Sequence, residues 1–425
     1  MPSFVPAPGV FSLSPRFTAQ LLPHIRSPMS KVTVFRFGQN AFIAYLAFLS
    51  AFVPLSTDLY LPALPGMTRQ LASTPDLVNL TLSCFMFLFA LSMLVWGPFS
   101  DKYGRKPILT IGLVLYILAS IGCALSENIW QLIAGRCLQA IGSGSLGAVT
   151  MAVVKDTFRG RTMENVLTAI QTMSILAPMV APVLGGFLLT FTSWRGIFWL
   201  LALSGALALL VGLALGETLR SPTKGPALRV LLRIGYVLKN KGFRALLIVF
   251  SLSVMPFMAY LAISAYIFQN TFSQSAQAYS AFFAANAAFS MLGPVLYVRL
   301  FRNFSRRFFL AACFAVTAAA GALLLAVGSQ GPFVFAALYG AITFFHSSMR
   351  PPSTMLLMCQ LDTDNGTVAS LVGASGLLCG ALSMFLCSLP VWPDFITAAG
   401  IISLGLGAFC TAGWLYLDSR RTFRG

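Results

Sequence analysis

Four ionisable side chains lie inside long apolar runs of this chain, and these are the residues whose types could support proton or substrate chemistry. They are Asp58, Arg136, His346 and Arg350. An aspartate can gain and lose a proton, an arginine can pair with that acid or with an anionic ligand, and a histidine titrates near neutrality. Because a charge in apolar surroundings is costly, each is expected to face a polar interior and to have a partner.

Asp58 is the candidate for proton exchange. A free aspartate titrates near pH 3.9, so exchange near neutrality requires surroundings that disfavour its charged form, and burial provides them. Asp58 and Arg136 lie at similar distances from the ends of their apolar runs, about 9 Å below the same surface, so a salt bridge is geometrically allowed, either directly or through water. Movement that joins or separates the pair would switch the acid between proton release and proton capture. The alternative is that Asp58 only caps a helix end.

His346 and Arg350 form the second candidate site. They are spaced i, i+4 and share one helix face, and Pro351 and Pro352 follow directly. The prolines remove helix hydrogen bonds, so nearby carbonyl groups could line a cavity. An Arg350 facing that cavity would disfavour cationic ligands and favour neutral or anionic ones. The alternatives are that the helix ends earlier and leaves Arg350 in a loop, and that His346 is a bonded structural histidine.

The elements that position these residues are twelve long apolar segments. The 425 residues are 57% hydrophobic and only 9% charged, with a mean hydropathy of +0.83, which excludes an ordinary soluble surface. About 20 apolar residues in a helix span roughly 30 Å of hydrocarbon. The sequence therefore predicts an all-α polytopic membrane protein, with spans at 41–64, 77–98, 107–125, 130–154, 164–190, 195–216, 243–270, 277–300, 307–328, 333–359, 366–389 and 395–417.

The basic residues indicate the orientation. Most of the 28 Lys and Arg residues fall on the side of the chain termini, and positive residues are retained in the cytoplasm. We therefore expect a plasma membrane protein, of a bacterial inner membrane, with both termini cytoplasmic. The net charge of +17 is explained by this topology and by contact with anionic membrane lipid, so no nucleic-acid partner is predicted.

The longest polar connection, residues 217–242, follows the sixth span and divides the chain into two bundles of six helices, 41–216 and 243–418. Residues 1–40 are expected to be a disordered cytoplasmic tail, within which Met29 could be the true start. Residues 419–425 would form a second cytoplasmic tail. The Gly-Pro and positive charges of 97–107 recur without the aspartate at 293–307, which indicates a degenerate internal repeat.

No cofactor is expected. The eight cysteines lie in or next to the apolar spans without a CxxC spacing, which predicts neither a metal site nor a disulfide framework. The chain has no GxxxxGK[ST] loop, so ATP is not the predicted energy source. A proton gradient remains, and we expect a monomer that acts on a small molecule.

Four motifs resemble those of the major facilitator superfamily. GPFSDKYGRKP at 97–107 resembles its Gly-x-x-x-Asp-x-x-Gly-Arg-Lys signature, and AGRCLQAIGSG resembles its Arg-x-x-Gln-x-x-Gly element with Arg136 and Gln139. SILAPMVAPVLGGFL resembles the antiporter signature of the family's exporters, and STDLYLPALPGM resembles the Asp-x-Tyr-x-Pro-x-x-Pro element of its bicyclomycin and chloramphenicol resistance (Bcr/CflA) branch. The site residues that these motifs contribute are Asp58, Gly97, Asp101, Gly104, Arg105, Lys106, Pro178, Pro182, Gly185 and Gly186.

The resemblance implies that the charges of 97–107, together with Asp156, latch the two halves in the outward-facing state. Gly97 would allow close helix approach and Gly104 a tight reversal. The paired prolines and glycines of the fifth helix would kink it and close the cavity on one side. The alternative for 97–107 is a solvated turn, but charge alone does not require glycines and an aspartate at this spacing.

The predicted function is a drug:proton antiporter that exports neutral or amphipathic compounds by alternating access, with Asp58, Gln139, His346 and Arg350 lining the substrate cavity. A narrow-specificity carrier of a nucleoside, amino acid or siderophore is the alternative. A receptor or scaffold on this fold would have no use for the latch or for Asp58. An enzyme is disfavoured because the spans contain no clustered nucleophiles or metal ligands.

Overall fold

The structure is a computed structural model that describes residues 38–219, 222, 229–301, 303–361 and 365–420. Most of the predicted N-terminal tail, including Met29, lies outside the described residues. So do residues 223–228 of the connection and the last five residues of the chain.

Within the described ranges, twelve helices are long and apolar enough to cross a membrane, which confirms the predicted all-α class. The helices are α1 Gln39–Gln70, α2 Pro75–Tyr103, α3 Arg105–Ala124, α4 Ile129–Thr157, α5 Gly160–Leu188, α6 Trp194–Leu213, α7 Lys241–Thr271, α8 Ala276–Phe301, α9 Arg306–Gln330, α10 Pro332–Met358, α11 Asn365–Ser388 and α12 Phe395–Ser419. A further short helix, Arg229–Leu238, which the sequence analysis does not predict, lies in the connection between α6 and α7.

Side-chain caps begin several of these helices. Asn128, Asn240, Ser275 and Asp394 each accept a hydrogen bond from a backbone N–H of the first turn, at the starts of α4, α7, α8 and α12. These side chains satisfy donors that have no partner within the helix. The polar residues between the apolar runs therefore set where these helices begin.

The first helix is broken near its end. Its long segment ends at Asp58, a single 3-10 turn covers Leu61–Ala63, and a short helix follows at Leu64–Gln70. Pro62 and Pro65 lie in the first turns of these two pieces, where a proline costs no hydrogen bond. The span is therefore longer than the sequence predicts.

Helix packing repeats with an offset of six helices. The pairs α1–α5, α2–α4 and α3–α6 recur as α7–α11, α8–α10 and α9–α12. The two halves, α1–α6 and α7–α12, meet chiefly where α2 packs on α11 and α5 packs on α8. Helices α1, α4, α7 and α10 therefore border the space between two seams. This pairing is consistent with two bundles, and their boundary within 217–242 stays a prediction.

Small residues allow the closest of these contacts. A Cβ atom on Gly142 of α4 would lie 2.8 Å from the carbonyl oxygen of Gly112 on α3, and one on Gly407 of α12 would lie 2.5 Å from the backbone nitrogen of Ala318 on α9. Lipid supplies no strong hydrophobic driving force for helix association, so these contacts between small residues let the backbones pack closely instead.

The helices have two ends, which differ in the residues that they carry. The basic side carries the α2–α3 turn after Tyr103 and the connection 217–242, and the far side carries the α1–α2 turn after Gln70.

Candidate functional site

Asp58 is enclosed at the break in α1. Only 3% of its surface is exposed, and the hydroxyl of Thr57 donates a hydrogen bond of 2.8 Å to its carboxyl. The 3-10 turn Leu61–Ala63, which follows Asp58, packs on α7 and α8. Asp58 is the last residue of its helical segment, and its carboxyl accepts from the Thr57 hydroxyl rather than from a backbone N–H group of a following helix. It is a buried acid beside the other half of the molecule.

Arg136 is enclosed inside the N-terminal half. Its guanidinium carbon lies 4.2 Å from the ring centre of Phe85 and 4.7 Å from that of Tyr60. Its Nε donates to the carbonyl of Thr81 at 3.4 Å and its Nη1 donates to Gln139, whereas Nη2 is buried without a partner. Aromatic faces therefore attract this cation in place of a carboxylate.

The direct salt bridge that the sequence allows between Asp58 and Arg136 is not formed. Tyr60 follows Asp58 by two residues, and residues two apart on a helix point in different directions, so Tyr60 is the α1 side chain that reaches Arg136. Gln139 is fully buried and donates to Ser120 at 2.7 Å. Gln139 thus lies within the N-terminal half rather than in a cavity between the halves.

Hydrogen bonds join the two halves on the far side. They connect Gln269 Nε2 to the carbonyl of Pro62 (2.9 Å), Gln277 Nε2 to the carbonyl of Gly186 (3.3 Å), Ser280 Oγ to the carbonyl of Pro182 (2.7 Å), and the hydroxyls of Thr68 and Tyr266 (3.2 Å). We call this set the far-side closure. It seals the space between the halves at the level just beyond Asp58.

Three of the four predicted antiporter residues of α5, Pro182, Gly185 and Gly186, lie at this closure. A Cβ atom on Gly185 would collide with the carbonyl oxygen of Leu59 in α1, and one on Gly186 would lie 2.5 Å from Ser280 Oγ on α8. Pro178 lies about one turn further from the far side than the closure contacts. The paired glycines therefore allow α5 to touch both α1 and α8.

The predicted latch residues meet on the basic side. Arg105 forms ion pairs with Asp101 at 2.5 Å and with Asp156 at 2.8 Å. These residues belong to α2, α3 and α4, so this cluster ties together helices of the N-terminal half in the present conformation. The expectation for Gly97 is wrong here, because a Cβ atom at Gly97 would meet no atom within 4 Å.

Glu217 is a member of this cluster that the sequence analysis missed. Its carboxylate accepts hydrogen bonds from the backbone N–H groups of Arg105 (2.9 Å) and Lys106 (3.2 Å) at the start of α3. Gly104 has a φ of +104°, and a Cβ atom there would lie 2.5 Å from Glu217 Oε2. Lys106 Nζ donates to the carbonyl of Leu213 at 2.9 Å. The α2–α3 turn is thus fixed to the end of α6.

A polar stripe runs along one face of α10. Tyr339, Thr343, His346 and Arg350 are spaced by four, three and four residues, which places them in one row of the helix. We call this row the α10 stripe. The helix is continuous over Pro332–Met358, so the alternative that Arg350 lies in a loop is wrong. The sequence shows this spacing for all four residues, whereas the predicted site contains only His346 and Arg350.

The α10 stripe turns toward α7. The hydroxyl of Tyr339 donates to the carbonyl of Pro256 at 2.9 Å, and the ring of His346 stacks on Phe257 with centres 5.0 Å apart. Arg350 follows one turn nearer the basic side, about 12 Å from the end of α10, and its side chain is exposed. Arg350 is therefore reached from the basic side while the rest of the row is covered.

The basic half of α5 carries exposed polar residues. They are Glu164, Asn165, Thr168, Gln171 and Thr172. Glu164 and Thr168 precede Pro182 and Gly186 by eighteen residues, or five helical turns, so they share the face that touches α8 on the far side. The seam between α5 and α8 is thus closed on the far side and polar and accessible toward the basic side.

Metal-ligand residues do not assemble anywhere in the part of the chain that the structure describes. The eight cysteines, all of them within that part, are free thiols.

A family model described as Major Facilitator Superfamily matches residues 46–386. Among curated proteins, the chain is 29% identical to the "Uncharacterized MFS-type transporter YdgK" of Bacillus subtilis, over 79% of this chain and 86% of that protein. It is 31% identical to the "Bicyclomycin resistance protein homolog" of Haemophilus influenzae over 47% of this chain and 49% of that protein. It is 28% identical to "Multidrug resistance protein MdtL" of Escherichia coli over 56% and 61%, respectively.

Solved transporters share the fold. A peptide transporter, POT, in complex with sulfate aligns with a TM-score of 0.72 and 16% identity over 90% of this chain and 96% of that one. A D-xylose-proton symporter aligns with a TM-score of 0.68 and 14% identity over 88% and 99%.

Proposed function

The chain belongs to the Major Facilitator Superfamily, and from this premise we propose that it is a proton-coupled antiporter that exports small amphipathic compounds by alternating access. It is a multi-pass membrane transporter and not an enzyme. We propose the proton coupling, the direction of transport and the substrate.

The observation that carries the proposal is the enclosure of Asp58. Its carboxyl is buried beside the far-side closure, with Thr57 as its hydrogen-bond donor and no ion pair to Arg136. An enclosed carboxyl without a cation is far less costly as the neutral acid than as the anion. We therefore assign Asp58 as the group that holds the proton in this conformation.

Alternating access would change the surroundings of this acid. Opening the far side would break the closure bonds to Pro62 and Pro182 and would admit water to the α1 break that holds Asp58. When the far side closes, the carboxyl returns to the enclosed state described here. A substrate that enters from the basic side and competes with the protonated state would be exchanged for the proton.

Arg136 takes part in this coupling through α1 rather than by direct pairing. Its guanidinium holds the ring of Tyr60, which lies in the turn after Asp58. A change in the α1 break would move Tyr60 and alter the surroundings of both charged groups. We propose this indirect connection in place of the expected salt bridge.

We infer the direction of transport and the membrane in which the protein lies from the distribution of basic residues and from the relatives. Basic residues are retained in the cytoplasm, so the basic side would face the cytoplasm of a bacterial inner membrane. The printed names of two relatives refer to bicyclomycin resistance and multidrug resistance. Export of an antibiotic or a similar amphipathic compound is the function that best fits both.

The test is proton release in proteoliposomes on addition of bicyclomycin. The Asp58→Asn variant should lose at least nine-tenths of this release, because an amide cannot exchange a proton, whereas Glu127→Gln, an exposed acid on the far side, should not change it. Full proton release by Asp58→Asn would refute the assignment.

A narrow-specificity metabolite carrier is the second candidate, and the exposed charge of Arg350 favours it because a guanidinium recognises a planar anionic group with specific geometry. Growth of an efflux-deficient strain on a panel of toxic compounds, beside efflux of labelled amino acids and nucleosides, separates the two. Protection against several unrelated toxins supports the multidrug exporter, and efflux of one metabolite without protection supports the carrier.

A further inference from the structure

We propose that Arg350 and the α10 stripe select substrates that carry an acidic group, such as a carboxylate or sulfonate, on an aromatic or aliphatic body. This inference rests on the proposed transport function and names the substrate class that the same path would accept.

The first support is the state of Arg350 itself. It is an exposed guanidinium inside a membrane-spanning helix, and none of the described carboxylates lies within ion-pair distance of it. Arginine in a span is costly and normally has a partner. The side chain presents several N–H donors in a plane that matches a carboxylate or sulfonate. Its missing partner is therefore an anion that arrives from the basic side.

The second support is a group of buried polar atoms that lack partners. His346 Nδ1, Thr343 Oγ1 and Tyr260 Oη have no hydrogen-bond partner, although each residue is more than nine-tenths buried. Thr343 and His346 belong to the α10 stripe, and the Tyr260 ring lies 4.8 Å from Tyr339 of that stripe. Buried polar groups are nearly always satisfied, so a row of unsatisfied ones indicates a place where a ligand or water supplies the partners.

The third support is the aromatic surface beside these atoms. Phe257 stacks on His346. Tyr260 packs between Tyr339 and Phe283, and the ring centres of Tyr260 and Phe283 are 5.5 Å apart. Pockets for small molecules combine such apolar walls with a few polar groups that fix orientation. An acid at Arg350 with its apolar body against Phe257, which is half-buried, uses both features.

The charge of the substrate also suits export. Where the cytoplasm is electrically negative, the membrane potential drives an anion outward and holds a cation inside. A fixed cation at the entrance attracts anions. It therefore favours binding of the substrates whose export the membrane potential assists.

Binding to the full-length purified protein tests this inference without requiring transport. The probes are naphthylacetate, naphthylacetamide and naphthylmethyl-trimethylammonium, which share a ring and differ in charge, and their affinities follow from the shift of the unfolding temperature with concentration. The wild type should bind naphthylacetate at least about tenfold more tightly than either other probe, because charge-assisted bonds are the strong ones.

The variants locate the effect. Arg350→Gln should weaken naphthylacetate binding by about tenfold or more and leave naphthylacetamide within about twofold, whereas Arg350→Lys should keep the preference for the anion. Arg69→Gln, which removes an exposed arginine on the far side, should change neither probe. Equal binding of the three probes, no binding of naphthylacetate, or unchanged anion binding by Arg350→Gln would overturn the inference.

The outcome is separable from that of the proton assignment. Asp58→Asn should retain anion binding while losing proton release. If Asp58→Asn still releases protons but Arg350→Gln loses the anion, the coupling proposal fails and the substrate class stands. If Asp58→Asn stops proton release but Arg350→Gln still binds naphthylacetate as tightly as the wild type, only the substrate class is rejected.

Discussion

At the scale of single residues, Gly185 shows how the absence of a side chain permits a conformation. Its Cα faces the carbonyl of Leu59, directly after Asp58, and no Cβ atom fits there without a collision. The close approach of α5 to the α1 break, and with it the enclosure of the acid, therefore depends on this glycine.

We expect Gly185→Ala to disfavour the conformation closed on the far side and to lower the transport rate by about tenfold or more, since the colliding atom belongs to the backbone and cannot rotate away. Gly66→Ala is the matched control, because a Cβ atom at Gly66 of α1 meets nothing within 4 Å. Efflux measured in proteoliposomes checks this. Equal rates for the two variants would show that the contact is not needed for the cycle.

At the scale of elements, one carboxylate ties the start of α3 to the end of α6. Glu217 accepts N–H groups of Arg105, Lys106, Thr218 and Leu219, so it satisfies helix donors and places a negative charge at a helix N-terminus. The latch cluster is held in place by this support as well as by its ion pairs.

Glu217→Ala should therefore lower the free energy of unfolding by about 1–2 kcal/mol, the usual loss when a helix cap is removed. The change is measured as a lower unfolding temperature of the purified protein in detergent. Glu127→Gln alters an exposed acid and should leave that temperature unchanged. A Glu217→Ala protein as stable as the wild type would contradict a supporting role.

At the scale of the whole molecule, the structure is closed on the far side and accessible from the basic side. The far-side closure consists of a few hydrogen bonds, each worth about 0.5–1.5 kcal/mol. Two conformations of a transporter need differ by only a few kcal/mol, so such a small number of bonds can set their ratio.

Removing two of these bonds with Gln277→Ala and Ser280→Ala together should shift the equilibrium toward the far-side-open state by about tenfold. Distances between spin labels on the far ends of α1 and α7 would report the shift. Thr190→Val removes a hydroxyl that bonds within the same half, to the carbonyl of Phe187, and should have no effect. Unchanged distances in the double variant would mean that other contacts hold the far side closed.

Sequence patterns predicted much of this architecture and missed specific contacts. The twelve spans follow from apolar length, and the break near Pro62 and the burial of Asp58 fit the proline-rich end of α1. The partner of Arg136 could not be predicted, because depth in a membrane says nothing about which side of a helix a residue faces. Glu217 escaped notice because its partner Arg105 is 112 residues away in the chain.

Three of the bonds in the far-side closure end on carbonyl oxygens of the N-terminal half, those of Pro62, Pro182 and Gly186. No point mutation deletes a carbonyl. A genetic selection for variants that leak or stall at this gate should therefore break these three bonds by donor losses from the C-terminal half alone, whereas the facing half can break them only by replacements that displace its backbone. Mutational sensitivity at this gate would be lopsided even though the two halves are built alike.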